Sequence, residues 1–289
     1  MTKWYARIVA VLSCSALIFL LLFRGLFNIP EQPQLLLPNE NPSSEVKQCY
    51  KNPTSKPIDD NGTISLLVWN LYKQNNSSWR SELDRYSQQR QLILLQEVSL
   101  TDEFASWLSS KPWGSQYVNA FKVFDTSAGV LNLASQMPSE ACAYVQVEPW
   151  LRLPKSALYA RYRLSNGEYL AVINLHAINF TFGVSDYQKQ IDTLRRIVQR
   201  HTGPLILAGD FNTWSESRMA SVRQVTGSLK LKEVTFKPDD RKRFITGLPL
   251  DHIFVANLDV INAKAPITDA SDHNPMLVEL RISGYTKPK

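Results

Sequence analysis

Six short apolar runs, each bounded by a side chain that carries chemistry, constrain this chain more than any other feature of its sequence. Ile64-Ser-Leu-Leu-Val-Trp-Asn70 ends in an amide and Leu92-Ile-Leu-Leu-Gln-Glu97 in a carboxylate. Leu170-Ala-Val-Ile-Asn-Leu-His176 ends in an imidazole, and Leu205-Ile-Leu-Ala-Gly-Asp210-Phe-Asn212 in a carboxylate and an amide. Leu250-Asp251-His252-Ile-Phe-Val255 carries its acid near its start, and Ser271-Asp272-His273-Asn274 precedes the run Pro275 to Leu280. Runs of this length read as strands buried on both faces. Such a strand ends in charge only where it reaches solvent or a site, and ligand sites collect where strand ends emerge.

Helical patterns lie between the runs. Trp79, Leu83 and Tyr86 recur at helical spacing, and so do Tyr187, Ile191, Leu194 and Val198. Ser185 and Gln188 form a capping-box pattern, and Gly203-Pro204 marks a stop. Ser165-Asn-Gly167 is a hairpin signal between two runs that have no helix between them. Helices together with both strand styles predict an α/β (α+β) sandwich of mixed sheets with helices outside. The length of 289 residues, 44% apolar and 20% charged, excludes a disordered tail and a disulfide-dense mini-domain. A mean hydropathy of −0.21 excludes a polytopic membrane protein.

Three regions are expected. Residues 1–27 hold an uncharged run from Ile8 to Phe23 flanked by Arg7 and Arg24, with Trp4 and Tyr5 suited to a membrane interface. This reads as an anchor, with membrane association through residues 4–27. The alternative is a helix packed on the protein's own body or a partner. Lys3 and Arg7 ahead of the run place the amino end inside, so the body would lie outside the cytoplasm, held at the inner membrane; a cytoplasmic location is the alternative. Residues 28–60 are proline-rich and read as an extended tether. Residues 61–285 are the body. Cys49 and Cys142 could pair in an oxidising compartment.

The chemical set has a consistent use. Glu97 and Asp272 with the Asn70 amide are hard oxygen ligands, which favour Mg²⁺ or Mn²⁺ over zinc. Asp210 and Asn212 lie two apart and would share one side of an extended strand, with Phe211 turned into the core. An acid and an amide so placed can hold a water. His273 is suited to proton transfer near neutrality, and Asp251 could fix its tautomer. His176 could donate to a developing oxyanion. Hydrolysis of a phosphate ester fits this kit.

In order along the chain, Val68-Trp69-Asn70, Leu95-Gln96-Glu97, Asn174-Leu175-His176, Gly209-Asp210-Phe211-Asn212, Leu250-Asp251-His252-Ile253 and Ser271-Asp272-His273-Asn274-Pro275 resemble the signature of the endonuclease/exonuclease/phosphatase family, of DNase I-like fold. They look most like its bacterial YafD-like branch. The resemblance implies a four-layer sandwich, two mixed sheets face to face with helices outside, and a metal-dependent phosphoesterase. Glu97 would be the principal metal ligand, with Asn70 and Asp272 in or near the metal shell. Asp210 and Asn212 would position or activate water, and His176 would bind the scissile phosphate. His273, oriented by Asp251, would act on the phosphate or as the base, so the base is Asp210 or His273. His252 stands where many relatives carry an aromatic residue, which makes it a candidate pocket residue.

A net charge of +6 suits an anionic substrate, nucleic acid or phospholipid headgroup. Arg152, Lys155 and the Arg241-Lys-Arg243 run are candidate phosphate contacts. The expected activity is therefore phosphodiester cleavage of nuclease type. A lipid or small phosphoester hydrolase and a non-catalytic binding module are the alternatives. Nothing in the residues fixes an oligomeric state.

Overall fold

A computed structural model describes residues 2–38, 47–124 and 126–286. In chain order the elements are α1 (Thr2–Leu26), β1 (Phe27–Asn28), β2 (Gln34–Leu36), β3 (Cys49–Lys51), β4 (Thr63–Asn70), α2 (Trp79–Ser87), β5 (Leu92–Ser99) and α3 (Asp102–Ser109). Then follow β6 (Gly114–Val123), β7 (Thr126–Ala134), β8 (Glu140–Val147), β9 (Pro154–Arg163), β10 (Tyr169–His176) and α4 (Ser185–Val198). The chain closes with β11 (Leu205–Asp210), α5 (Glu216–Ser228), β12 (Lys232–Glu233), β13 (Asp251–Ala256), β14 (Leu258–Lys264) and β15 (Met276–Ile282).

The strands form two mixed sheets. One runs β1-β6-β7-β5-β4-β15-β14, with β2 also paired to β6; the other runs β12-β13-β11-β10-β9-β8-β3. β4 and β5 are parallel in the first sheet, and β10 and β11 in the second. Strand parity sorts the side chains into three apolar layers. Leu66, Val68, Leu92 and Leu94 of the first sheet meet Leu170, Val172, Ile206 and Ile253 of the second in the central seam. Ile173, Leu175, Leu207 and Phe254 face α4 and α5 on one outer side. Leu67, Trp69, Ile93 and Leu95 face α2 and α3 on the other. This is the expected four-layer sandwich.

Several local expectations change. α4 begins after Val184, which makes no side-chain cap bond, so the Ser185/Gln188 capping box does not form. Side-chain caps occur instead at Thr101, which accepts from Phe104 N–H, and at Ser215, which accepts from Arg218 N–H. The proline-rich segment lays β2 against β6 and β3 against β8, and Cys49 and Cys142, directly opposed in the latter pair, are joined as a disulfide. Residues 39–46 of that segment lie outside the described residues.

The expected membrane anchor is overturned. Among the described residues no helix is long and apolar enough to cross a membrane. The helix α1 exists, but its uncharged part covers only residues 8–23, roughly 24 Å at about 1.5 Å per residue, against a hydrocarbon core of about 30 Å. Anchorage at the inner membrane, and the outward placement of the body inferred from it, fall with that reading.

Candidate active site

The parity that builds the seam also builds the site. Asn70 continues the inward series of Leu66 and Val68 on β4, His176 that of Leu170 and Val172 on β10, and Asp210 that of Ile206 and Ala208 on β11. Asp251 begins the inward series of Ile253 and Val255 on β13, directly opposite Asp210, which is itself beside His176. Glu97 breaks the pattern. Inward residues of β5 are Leu92 and Leu94, so strict alternation would turn Glu97 outward. A register shift between Leu95 and Val98, with Glu97 at φ 49°, turns it to the seam instead. Asn212 likewise sits in the left-handed region, at φ 50°. Such backbone persists where the surroundings over-determine it, commonly at functional sites.

Asn174 ties the two sheets together behind the site. It accepts from Gln96 Nε2 at 2.7 Å and donates to Leu95 O at 3.1 Å. Gly209 is required by closeness: a Cβ there would lie 2.0 Å from the carbonyl oxygen of Leu175.

His176 Nε2 is 3.6 Å from Glu97 Oε1 and 3.6 Å from Asp210 Oδ2. Asp210 accepts from Asn70 Nδ2 at 3.0 Å and from the Asn212 backbone N–H at 2.9 Å. Lys155 Nζ donates to His176 Nε2 at 2.9 Å, so that nitrogen is an acceptor and the ring is neutral. Lys73 pairs with the Glu97 carboxylate. Across the site His273 Nδ1 donates to Asp251 Oδ2 at 2.7 Å. The loop carrying His273 is held to β4: Trp69 Nε1 donates to His273 O at 2.9 Å, and Ser271 Oγ to Asn70 O at 2.7 Å.

The electrostatics follow from burial and these neighbours. Burial raises the Asp210 carboxyl, Asp251 adds repulsion, and together they push it up to about 7. Burial disfavours a charged His273, but the carboxylates of Asp251, Asp210 and Asp272 outweigh it and lift the imidazole to about 10. Burial and then Lys155 hold His176 well below the ordinary histidine value. Burial alone would raise Glu97, yet cationic neighbours hold it well below the usual carboxylate range. With His176 neutral at pH 7, Lys155 and Lys73 carry that effect.

Among the described residues, two sets of ligand atoms each lie within 4.8 Å of one another: those of Glu97, His176 and Asp210, and those of Asp210, Asp251 and His273. The first offers two carboxylate oxygens and an unprotonated imidazole nitrogen. That set fits a divalent cation of the Mg²⁺ or Mn²⁺ kind, and the ammonium of Lys73 already shows Glu97 holding a positive charge.

Not every expected residue joins. Asp272 is 41% exposed, 3.7 Å from Lys242 and 4.0 Å from His273 Nε2, and lies outside both groups of ligand atoms. The side chain of Asn212 donates to Ala177 O at 2.9 Å, next to His176, and because β11 ends at Asp210 the two residues are not successive positions on one face of a strand. Phe211 between them is buried, as expected. His252 does not line the site. It is one residue out of phase with Asp251 and faces the outer layer, between Glu233 at 2.7 Å and Thr213 at 2.7 Å and stacked on Phe254. Arg152 is exposed on the turn before β9 and is not among the side chains lining the adjoining cavity. Arg241 is buried against Asp239, Glu233 and the Asp251 carbonyl, so it is structural.

Two useful residues escape the sequence reading. Lys73 lies three positions after Asn70, a spacing within reach of the motif. Arg218 is fully buried under Trp214 and bonds the carbonyls of Ile178, Asn179 and Asn212, which fixes both loops at the site; no sequence signal marked it. A larger hollow, about 610 Å³, is lined by His201, Lys230 and Lys232 among others, and none of the motif residues reaches it.

Comparisons with known proteins point to one family. The sequence profile of the endonuclease/exonuclease/phosphatase family matches residues 67–273. A UPF0294 protein of Vibrio parahaemolyticus is 51% identical over 90% of this chain and 93% of that one. A solved endonuclease/exonuclease/phosphatase from Bacteroides vulgatus superposes with a TM-score of 0.61 at 16% identity, covering 76% of this chain and 99% of that one. The human Nocturnin catalytic domain, solved with a bound sulfate anion, gives 0.59 at 18% identity over 79% of this chain and 98% of its own. Motif order, sandwich and converging side chains lead to one conclusion: the chain is a member of the endonuclease/exonuclease/phosphatase family, whose chemistry is phosphoester hydrolysis.

Proposed function

We propose that this protein is a divalent-metal-dependent phosphodiesterase that hydrolyses its substrate with an activated water. The observation that carries the reading is the convergence of Glu97, His176 and Asp210 on one point, with the Asp251–His273 pair facing them. Glu97, the carboxylate that faces His176 and Asp210, would hold the cation, which when bound supplies positive charge to the phosphate oxygens and the leaving oxygen.

The chain's own residues supply the rest. Asn70 and the Asn212 N–H fix the orientation of Asp210, whose raised carboxyl is matched to accepting a proton from water near neutrality. His273, kept protonated by Asp251, is a poor base and a good charged donor to the phosphate. Of the two candidate bases, Asp210 is therefore the better supported. Lys155 is the cation placed to meet the phosphate, and neutral His176 positions its ammonium.

The test is hydrolysis of bis(p-nitrophenyl) phosphate by the full chain with Mg²⁺ or Mn²⁺. Turnover that stops in excess EDTA and returns on adding metal supports the proposal; full turnover in EDTA refutes the metal's role.

A further inference from the structure

A cavity of about 200 Å³ opens beside Glu97, and its two ends differ in chemistry. Lys73, Glu97, Lys155 and His176 line one end. The remainder is mostly apolar, with Phe121, Ala128, Leu151, Leu153, Pro154 and Phe180 on its walls. Glu148 also lines it, but its carboxylate is taken up by the Asn179 N–H at 2.6 Å. Leu151 and Phe180 stand 46% and 43% exposed at its edge, apolar surface with nothing laid over it.

The wall is built in advance. The loop before β9 is closed by Glu148 N–H to Leu153 O at 3.1 Å and Arg152 N–H to Glu148 O at 3.0 Å. Glu148 ties it to the loop after β10, and Trp150 and Phe182 make an edge contact between the same loops at 5.1 Å. A rigid apolar slot needs no ordering on binding.

Charge decides what fits it. Among the described residues lining the cavity, Lys73 and Lys155 are the cations, and both stand at the Glu97 end. A nucleic acid strand carries a negative charge at every residue and is tracked by a groove of cations. The apolar walls offer none. They suit an uncharged arm, and the volume, below the roughly 300–1,000 Å³ of a drug-sized pocket, suits a short one.

We infer that this cavity is a subsite for an uncharged aliphatic substituent, so that the substrate is a phosphoester bearing a short alkyl arm. The inference rests on the proposed hydrolase reading for its charged end. Water adds to phosphorus, the opposite ester bond breaks, the leaving oxygen departs with its electron pair, and the water's proton passes to Asp210. The alkyl phosphate is retained in the slot.

The experiment uses the full chain and two series of probes. The first is p-nitrophenyl alkyl phosphodiesters, methyl to hexyl, hydrolysed with Mn²⁺. We expect kcat/KM to rise about three- to fourfold per added methylene until the slot is full. Leu151→Ser and Phe180→Ser, at the solvent edge where folding tolerates the change, should flatten that series. A flat series in the native chain, native slopes in both variants, or a thymidine dinucleotide outcompeting the hexyl ester would overturn the inference. The second series is binding of methyl and hexyl phosphate by calorimetry, which needs no turnover. Hexyl phosphate binding at least tenfold tighter, with no ester hydrolysed, would keep the subsite and defeat the hydrolase reading. Equal affinities would defeat the subsite.

Discussion

Asp210 and His273 share one buried space and have opposite requirements for activity. The carboxyl must lose its proton to act on water, and the imidazole must keep its own to meet the phosphate. With Asp210 raised to about 7 and His273 to about 10, kcat/KM should climb as pH passes the first value and fall as it passes the second. These limbs belong to the coupled set of groups, since Asp251 acts on both. Asp251→Asn removes repulsion from Asp210 and removes the charge that retains the His273 proton. Both limbs should therefore move to lower pH, the alkaline one by at least about one unit toward the ordinary histidine value of about 6.5. A pH profile of hydrolysis for the two proteins checks this, and an unmoved alkaline limb would remove His273 from the mechanism.

At the level of elements, the strands that carry the site were legible because buried runs with polar ends are rare. The runs ending at Asn70, His176 and Asp210 became β4, β10 and β11 within a residue or two. His252 was expected in the pocket from the resemblance, whereas strand phase turns it to the outer layer, and Asn212 was expected on one strand face with Asp210, whereas β11 ends at Asp210. The bulge that turns Glu97 inward has no sequence signature, so its placement was expected from its position at a strand end and from the resemblance, not from periodicity. Two expectations follow for these elements. Gly209→Ala sets a Cβ against the Leu175 carbonyl in a backbone region at φ 134°, and should cost more than about 1 kcal/mol in urea unfolding. Replacing Cys49 and Cys142 by Ser opens a link between residues 93 apart, and should cost about 2–5 kcal/mol under non-reducing conditions. No change in either midpoint would mean that these contacts do not constrain the fold.

Over the whole molecule, two sheets meet along a largely apolar seam, and the polar ends of their central strands come together at one margin of it. Residues 1–60 were read least well. A composition rich in proline suggested a tether, yet pairing with β6 and β8 supplies hydrogen bonds that composition does not reveal. Hydropathy alone likewise suggested a spanning helix that the uncharged length does not support. A cation held at Glu97 in the folded state only should stabilise the whole chain. At a hundred times its dissociation constant, Mn²⁺ should add about 2.7 kcal/mol, read as a rise in the thermal midpoint that Glu97→Ala abolishes. An equal rise in that variant would place the cation elsewhere.

The central claim is that side chains from five strands make one hydrolytic centre. Hydrolysis of bis(p-nitrophenyl) phosphate by the full chain, measured beside Glu97→Ala and Asp210→Ala with circular dichroism confirming that each is folded, tests it most directly. Each variant should lose at least about a hundredfold in kcat/KM. Rates within twofold of the native chain in both variants would contradict the account.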